Sequence, residues 1–307
     1  MGMGKYILQR LAFTVLVVLG ISVLVFVITH LVGNPVDMLL PLTASDEQRA
    51  LLAHQLGLDQ PLMKQLGDFL KQAVTLNFGD SWAQRQPCIE VIMDFLPISA
   101  LLILCSSVIS VCVAFPLGIL AAYHRGTILD RVLTVLTLFG ICMPPFWIGL
   151  MLMLIFAVRL GWFPTSGVGT WKHFVLPAVT IAFRPCGNLT QIVRYEMTQQ
   201  LNEMYAITAR AKGVSEVALL TKHALKNIMT SSITIIGNDY CKQLGGLSAA
   251  VEVVYGFPGF GHLISETIES MDFPLLQAEV FFVAVIVCLI NLLVDILYAA
   301  CDPRIRY

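Results

Sequence analysis

Arg184, Asp239 and Lys242 are charged residues set inside long apolar stretches. A charge near the middle of a bilayer costs roughly 2.5–3.5 kcal/mol on insertion scales, so such residues face a cavity or a partner more often than lipid. Asp239 and Lys242 are three apart and Gln243 is four from Asp239, which places all three on one face of a helix. Asn238 adds a second polar group beside Asp239. Two uses fit this pattern. One is an internal ion pair, Asp239 with Lys242 or with Arg184, that holds helices together. The other is a path for solute lined by Arg184, Asn238, Asp239, Lys242 and Gln243. In the second use Arg184 and Lys242 offer contacts to carboxylates, and Asp239 offers one to an amine or a metal complex. Lys242 also has the option of snorkelling outward. Asn291 and Asp295 lie four apart on a later stretch, where a structural partner such as Arg306 is the expected use.

Other chemistries lack their residues. No G-x-x-x-x-G-K-[ST] loop is present to cradle nucleotide phosphates, and no G-x-S-x-G elbow or H-E-x-x-H pair occurs. The six histidines are scattered, and there is no C-x-x-C, so a dedicated metal cage is not expected. Of eight cysteines, seven fall in or beside apolar stretches, where Cys behaves as a small buried hydrophobe. Cys88 alone sits in a polar loop. An intramembrane enzyme would need paired acids on facing spans, and Asp239 and Asp295 are the only acids well inside them.

The elements that carry these residues must be membrane spans. The 307 residues are 57% hydrophobic and 13% charged, with a mean hydropathy of +0.79. A soluble domain carries near 25% charge. This balance excludes a soluble enzyme and a disordered chain, and a net charge of −1 gives no basic field for nucleic acid. About 20 apolar residues cross the hydrocarbon. Six candidates follow: Leu11–Leu31, Ile98–Tyr123, Val132–Val158 interrupted by Pro144 and Pro145, Phe174–Val193, Ile228–Leu247 and Val280–Ala300. The first reads as an uncleaved anchor, since its apolar core exceeds a signal segment and no cleavage site follows. Lys5, Arg10, Arg125, Arg131, Arg194, Arg210, Lys212, Lys222, Lys226, Arg304 and Arg306 collect on one side, which the positive-inside rule makes the cytoplasm. Both termini and the segment 195–227 are then cytoplasmic, and the loops 32–96, 159–173 and 250–277 face out.

The segment 195–227 is helix-forming up to Gly213, and Ser215 is placed to cap a second helix. Small residues at Ala206, Ala209, Ala211 and Gly213 suit a short helix seated in a partner's groove, although an ordinary amphipathic linker gives the same pattern. Tyr205-Ala-Ile-Thr-Ala-Arg-Ala-Lys-Gly213, followed by His223-Ala-Leu-Lys-Asn227, resembles the EAA-type coupling loop of ABC importer permeases. More narrowly it is similar to the dipeptide, oligopeptide and nickel permease family. Gly57-Leu-Asp-Gln-Pro-Leu62, Asn77-Phe-Gly-Asp-Ser81, Phe257-Pro-Gly-Phe-Gly261 and Asp302-Pro-Arg-Ile-Arg306 match that family in order. Two positions depart from the pattern. Ile207 stands where the wider family has Glu, and Ser231 stands where a Pro is common.

The resemblance implies an all-α, six-span type I importer fold with both termini in the cytoplasm of a bacterial inner membrane. It implies a second homologous permease chain, two ATPase subunits that hold the ATP and Mg, and an extracytoplasmic solute-binding protein. No cofactor is expected in this chain. Tyr205, Ala209, Arg210, Ala211 and Gly213 would form the contact with the ATPases, and the solute would be a small peptide or a nickel or metal-chelate species. The alternative is a channel or scaffold that works without ATPases. The expected organisation is a first span at 1–31, an outer subdomain at 32–97 and a five-span core at 98–307. Within the outer subdomain, 46–56 and 62–76 read as amphipathic helices, joined by Trp82 and Phe95. Trp162 and Trp171 fit an interfacial aromatic belt.

Overall fold

The computed structural model describes residues 3–32, 36, 40–41 and 43–301. The tail segment Asp302–Arg306, and with it the expected partnership of Arg306, lies outside those residues. Every regular element among the described residues is helical, apart from one isolated bridge between Asp80 and Pro87. Helix α1 is Met3–Val32, α2 Asp46–Gln55, α3 Leu62–Thr75, α4 Cys88–Tyr123, α5 Ile128–Cys142 and α6 Pro145–Leu152. Then come α7 (Trp171–Asn202), α8 (Met204–Ala211), α9 (Glu216–Ala218), α10 (Leu225–Lys242), α11 (Ala249–Val254), α12 (Phe260–Glu269) and α13 (Phe273–Cys301). Wider π turns continue α6 through Met153–Arg159, join α9 to α10 through Leu219–Ala224, and extend α10 through Gln243–Leu247.

Among the described residues, three helices are long and apolar enough to cross a membrane: α1 from Arg10, α4, and α13 as far as Ile296. The expected third span departs from a simple kink. Its two halves, α5 and α6 with its continuation, meet at 106°. The cause is the Pro144–Pro145 pair. Met143 (φ −76°, ψ 136°) and Pro144 (φ −60°, ψ 132°) are both extended, because a residue before proline avoids the helical region. Pro145 then starts α6 at the position where a missing N–H costs nothing. Single prolines do less: α7 runs unbroken through Pro177 and Pro185. The expected fourth and fifth spans are helical within α7 and α10, but more polar than the three above.

The chain divides into two compact units. The first holds Met1–Ile98 and Gly259–Leu289. Here the loop helices end as their residues dictate. Ser45 caps α2 in a capping box with Gln48, and Gly57 (φ +70°) follows its last turn. His30 of α1 reaches Gln65 of α3, with Nε2 and Oε1 2.9 Å apart. Asp272 caps α13 through the Leu275 N–H and accepts from Ser81 Oγ at 2.6 Å and the Ala83 N–H at 3.0 Å. That carboxylate ties Ser81, the end of the Asn77–Ser81 segment, to the start of α13.

The second unit holds Ser99–Pro258 and Ile290–Arg306. Ala114, Ala122, Leu189, Val193, Met197, Ala224 and Ile228 form one buried cluster within it. Its helices approach closely at glycines, as membrane helices do. A Cβ on Gly187 would lie 2.6 Å from Thr137 O, and one on Gly118 would lie 2.7 Å from Val193 Cγ1. Asp130 and Arg194 join α5 to α7 through a two-point ion pair, Nε–Oδ1 2.5 Å and Nη2–Oδ2 2.9 Å. The cysteines are less uniformly hidden than expected. Cys88 and Cys241 are buried, but Cys112 and Cys142 are exposed on this chain. Helix faces turned to lipid or to a partner need no polar cover, so a small thiol is tolerated there.

Candidate solute path and coupling segment

A cavity of about 450 Å³ opens within the second unit. Helix α7 supplies Ile181, Arg184, Pro185 and Asn188. Helix α10 and its π turn supply Asp239, Lys242, Gln243, Gly246 and Leu247, and Ile141 and Pro145 come from either side of the 106° break. Four of the five residues expected along a path therefore share one space. Asn238, the fifth, does not line it and points to the exposed surface. Arg184 and Lys242 are exposed, Asp239 is half-buried and Gln243 is buried.

Asp239 takes a hydrogen bond from Asn188 and feels the charges of Lys242 and Arg184. Among the described residues, neither base comes within the 4.0 Å of an ion pair with it. The charges thus surround the space without closing on one another. Gln243 is held from behind: its Oε1 lies 3.1 Å from Ser106 Oγ, and its Nε2 is buried with no partner among the described residues. The π turn that follows carries Gly246 at φ +116°, a conformation only glycine adopts cheaply. Interrupted helices at a membrane cavity are tolerated because the freed backbone groups line it.

The segment 195–227 has its own frame. Helix α8 ends in a Schellman turn, with Val214 N–H on Ala209 O at 3.1 Å and Gly213 N–H on Arg210 O at 2.9 Å. Gly213 takes φ +78°, and Ser215 then caps α9 by accepting from the Ala218 N–H. Arg210 spans the turn. Its Nε donates to Glu216 Oε1 at 2.7 Å and its Nη1 to Leu201 O at 3.2 Å. The guanidinium holds the Glu216 carboxyl below its ordinary value. Tyr205 is half-buried and donates to Gln200 Oε1 at 2.9 Å, an oxygen that Asn227 Nδ2 also reaches at 2.9 Å. Arg210, Ala211 and Gly213 are exposed, and Ala209 is partly so.

Residues 114–307 match the family described as "Binding-protein-dependent transport system inner membrane component". The chain belongs to that family. Residues 3–103 of this permease match the companion N-terminal family of the same systems. It is 39% identical over 307 residues to "Glutathione transport system permease protein GsiC" of Salmonella choleraesuis (strain SC-B67), covering 99% of this chain and 100% of the relative. The protein of the same name in Escherichia coli (strain K12) is 37% identical over the same lengths. Among solved structures, an inward-facing form of the MetNI methionine ABC transporter superposes with a TM-score of 0.57 at 16% identity. It covers 70% of this chain and 97% of that one, which shows the type I importer permease fold. The chain is thus a permease component of an ABC importer in a bacterial inner membrane.

Three features of the permease escape a reading of its sequence. Asn188 meets Asp239 only once α7 packs on α10. Met204 and Val217 stand 74% and 70% exposed beside the small residues of segment 195–227, and each is an ordinary apolar residue in the sequence. Gly246 had a local signal, the Gly245–Gly246 pair, but a pair of glycines does not specify where a helix widens.

Proposed function

We propose that this permease moves a small peptide-type solute inward by alternating access, driven by two partner ATPases docked on segment 195–227. The reading includes six spans with both termini in the cytoplasm, a second homologous permease chain completing the path, and delivery by a solute-binding protein. ATP and Mg belong to the ATPases.

The observation that carries it is the cavity in which Arg184, Lys242, Asp239 and Gln243 converge without forming a closed ion pair. Two bases and one acid around one space suit a solute with carboxylates and an amine, as a peptide has. The relatives named for glutathione transport support the same class. None of the relatives reported above supports nickel, and a channel that works without ATPases does not fit a binding-protein-dependent family.

The test is uptake of labelled glutathione by cells carrying Arg184→Ala or Asp239→Ala, with assembly checked by co-purification of the ATPases. At least a tenfold loss is expected in each, in line with the roughly 1.4 kcal/mol per tenfold that one lost charge contact readily supplies. Normal uptake by both variants rejects the path.

A further inference from the structure

The first unit contains a cavity of about 340 Å³ that the transport reading does not use. Its walls come from the end of α1, from α3, from the 55–60 and 78–82 segments and from the start of α13. We infer that this cavity is a binding site for an organic cation, a primary ammonium or guanidinium group.

Charge is the first argument. Asp68 and Asp80 line the cavity, and among the described residues no lysine or arginine does. Among the described residues neither carboxylate has a side-chain hydrogen bond or an ion-pair partner. Among the described residues His30 is the one basic group in the lining, and both of its nitrogens already have partners. Nδ1 lies 2.8 Å from Phe26 O and Nε2 lies 2.9 Å from Gln65 Oε1. Even as an imidazolium it adds one positive charge against two negative ones, so the lining keeps a net charge of −1.

Aromatic rings are the second argument: Trp82 is partly exposed, while Phe26, Phe69, Phe78 and Phe273 line the cavity as buried side chains. Ring faces attract organic cations, whereas a hard metal ion needs a cage of oxygens. The rings are fixed against each other, Phe26 to Phe69 at 6.0 Å and Trp82 to Phe273 at 6.0 Å between centroids.

Preorganisation is the third. Gln65 Nε2 donates to Gln60 O at 2.7 Å, which ties the 55–60 segment to α3. Asp272 ties the 81–83 turn to α13 through Ser81 and Ala83. A pocket whose walls are bonded from behind loses little entropy when it is filled. Glutamine side chains supply further lining, among them Gln55 and Gln72.

Two carriers bring this chemistry to a permease: an amine-bearing solute, or a Lys or Arg side chain on the binding protein. The primary test uses the assembled transporter in nanodiscs and argininamide as probe, followed by calorimetry. Saturable binding is expected. It should weaken roughly tenfold or more in Asp68→Asn/Asp80→Asn and in Trp82→Ala, and stay unchanged in Asp46→Asn, which lies outside the cavity. Co-purified ATPases confirm that the variants assemble. No saturable binding, or binding unchanged in the double aspartate variant, overturns the site. Two further arms assign the carrier. A raised KM for free-amine glutathione but not for its N-acetyl form, in the double variant, assigns the solute. Weakened binding-protein affinity at unchanged solute KM assigns the protein. If neither changes, the inferred role is rejected. Because Arg184 and Asp239 are intact in every variant, failure here leaves the transport reading untouched.

Discussion

Tyr255 joins three elements with one hydroxyl. It follows α11, donates to Gly149 O of α6 at 3.0 Å and lies 3.1 Å from Thr180 Oγ1 of α7. Its ring is almost wholly buried. Removing the oxygen leaves the shape intact and strips the α6 carbonyl of a donor, a loss of about 1 kcal/mol or somewhat more. Tyr255→Phe should therefore lower the thermal midpoint of the purified permease by a few degrees while keeping its assembly. An unchanged midpoint would show that water serves Gly149 O instead. The sequence offered Tyr255 no special standing, since it lies outside every motif singled out there. The cavity residues were different: Asp239, Lys242 and Gln243 stood out because the i, i+3, i+4 spacing is a property of one helix. Asn188 did not, because its meeting with Asp239 depends on how two helices pack.

At the scale of elements, local rules read well. Ser45 and Gly57 bound α2, and Ser215 and Gly213 frame the turn between α8 and α9, as their residue types dictate. Gly213 is exposed and a Cβ there meets nothing, so its constraint is conformational and not steric. Gly213→Val forces a β-branched residue into the left-handed region, at a cost on the order of 1–2 kcal/mol. The expected outcome is a distorted Schellman turn that moves Arg210 and Ala211, both exposed. Solute-stimulated ATP hydrolysis should fall several-fold while the thermal midpoint of the spans stays put. Full stimulation in that variant would remove the turn from the coupling contact. What the sequence could not state was the angle at Pro144–Pro145. Two prolines announce a break, but its size depends on the tertiary packing of both halves, including Tyr255 against Gly149.

For the whole molecule, the matched families span nearly all of the chain, and while scarce charge marked it as membrane-bound, the placement of its Lys and Arg set the expected sidedness. That sidedness makes a direct prediction. In a background without native cysteines, Thr43→Cys should react with an impermeant maleimide added outside, and Lys212→Cys only after the membrane is opened. The reverse pattern would invert the orientation.

The 106° break has a consequence for arithmetic as well as for shape. Helix α5 and the stretch Pro145–Arg159 are each 15 residues, about 22 Å at 1.5 Å per residue, and neither alone crosses a 30 Å layer. If the pair traverses as one bent unit, the count of crossings is even, and Lys5 and Arg304 share a compartment. If it dips in and returns, the count becomes odd, and the two ends part company. The way this one broken pair meets the membrane thus sets the parity of the entire thread. Labelling one engineered site at each end would report the geometry of a bend more than a hundred residues away from either.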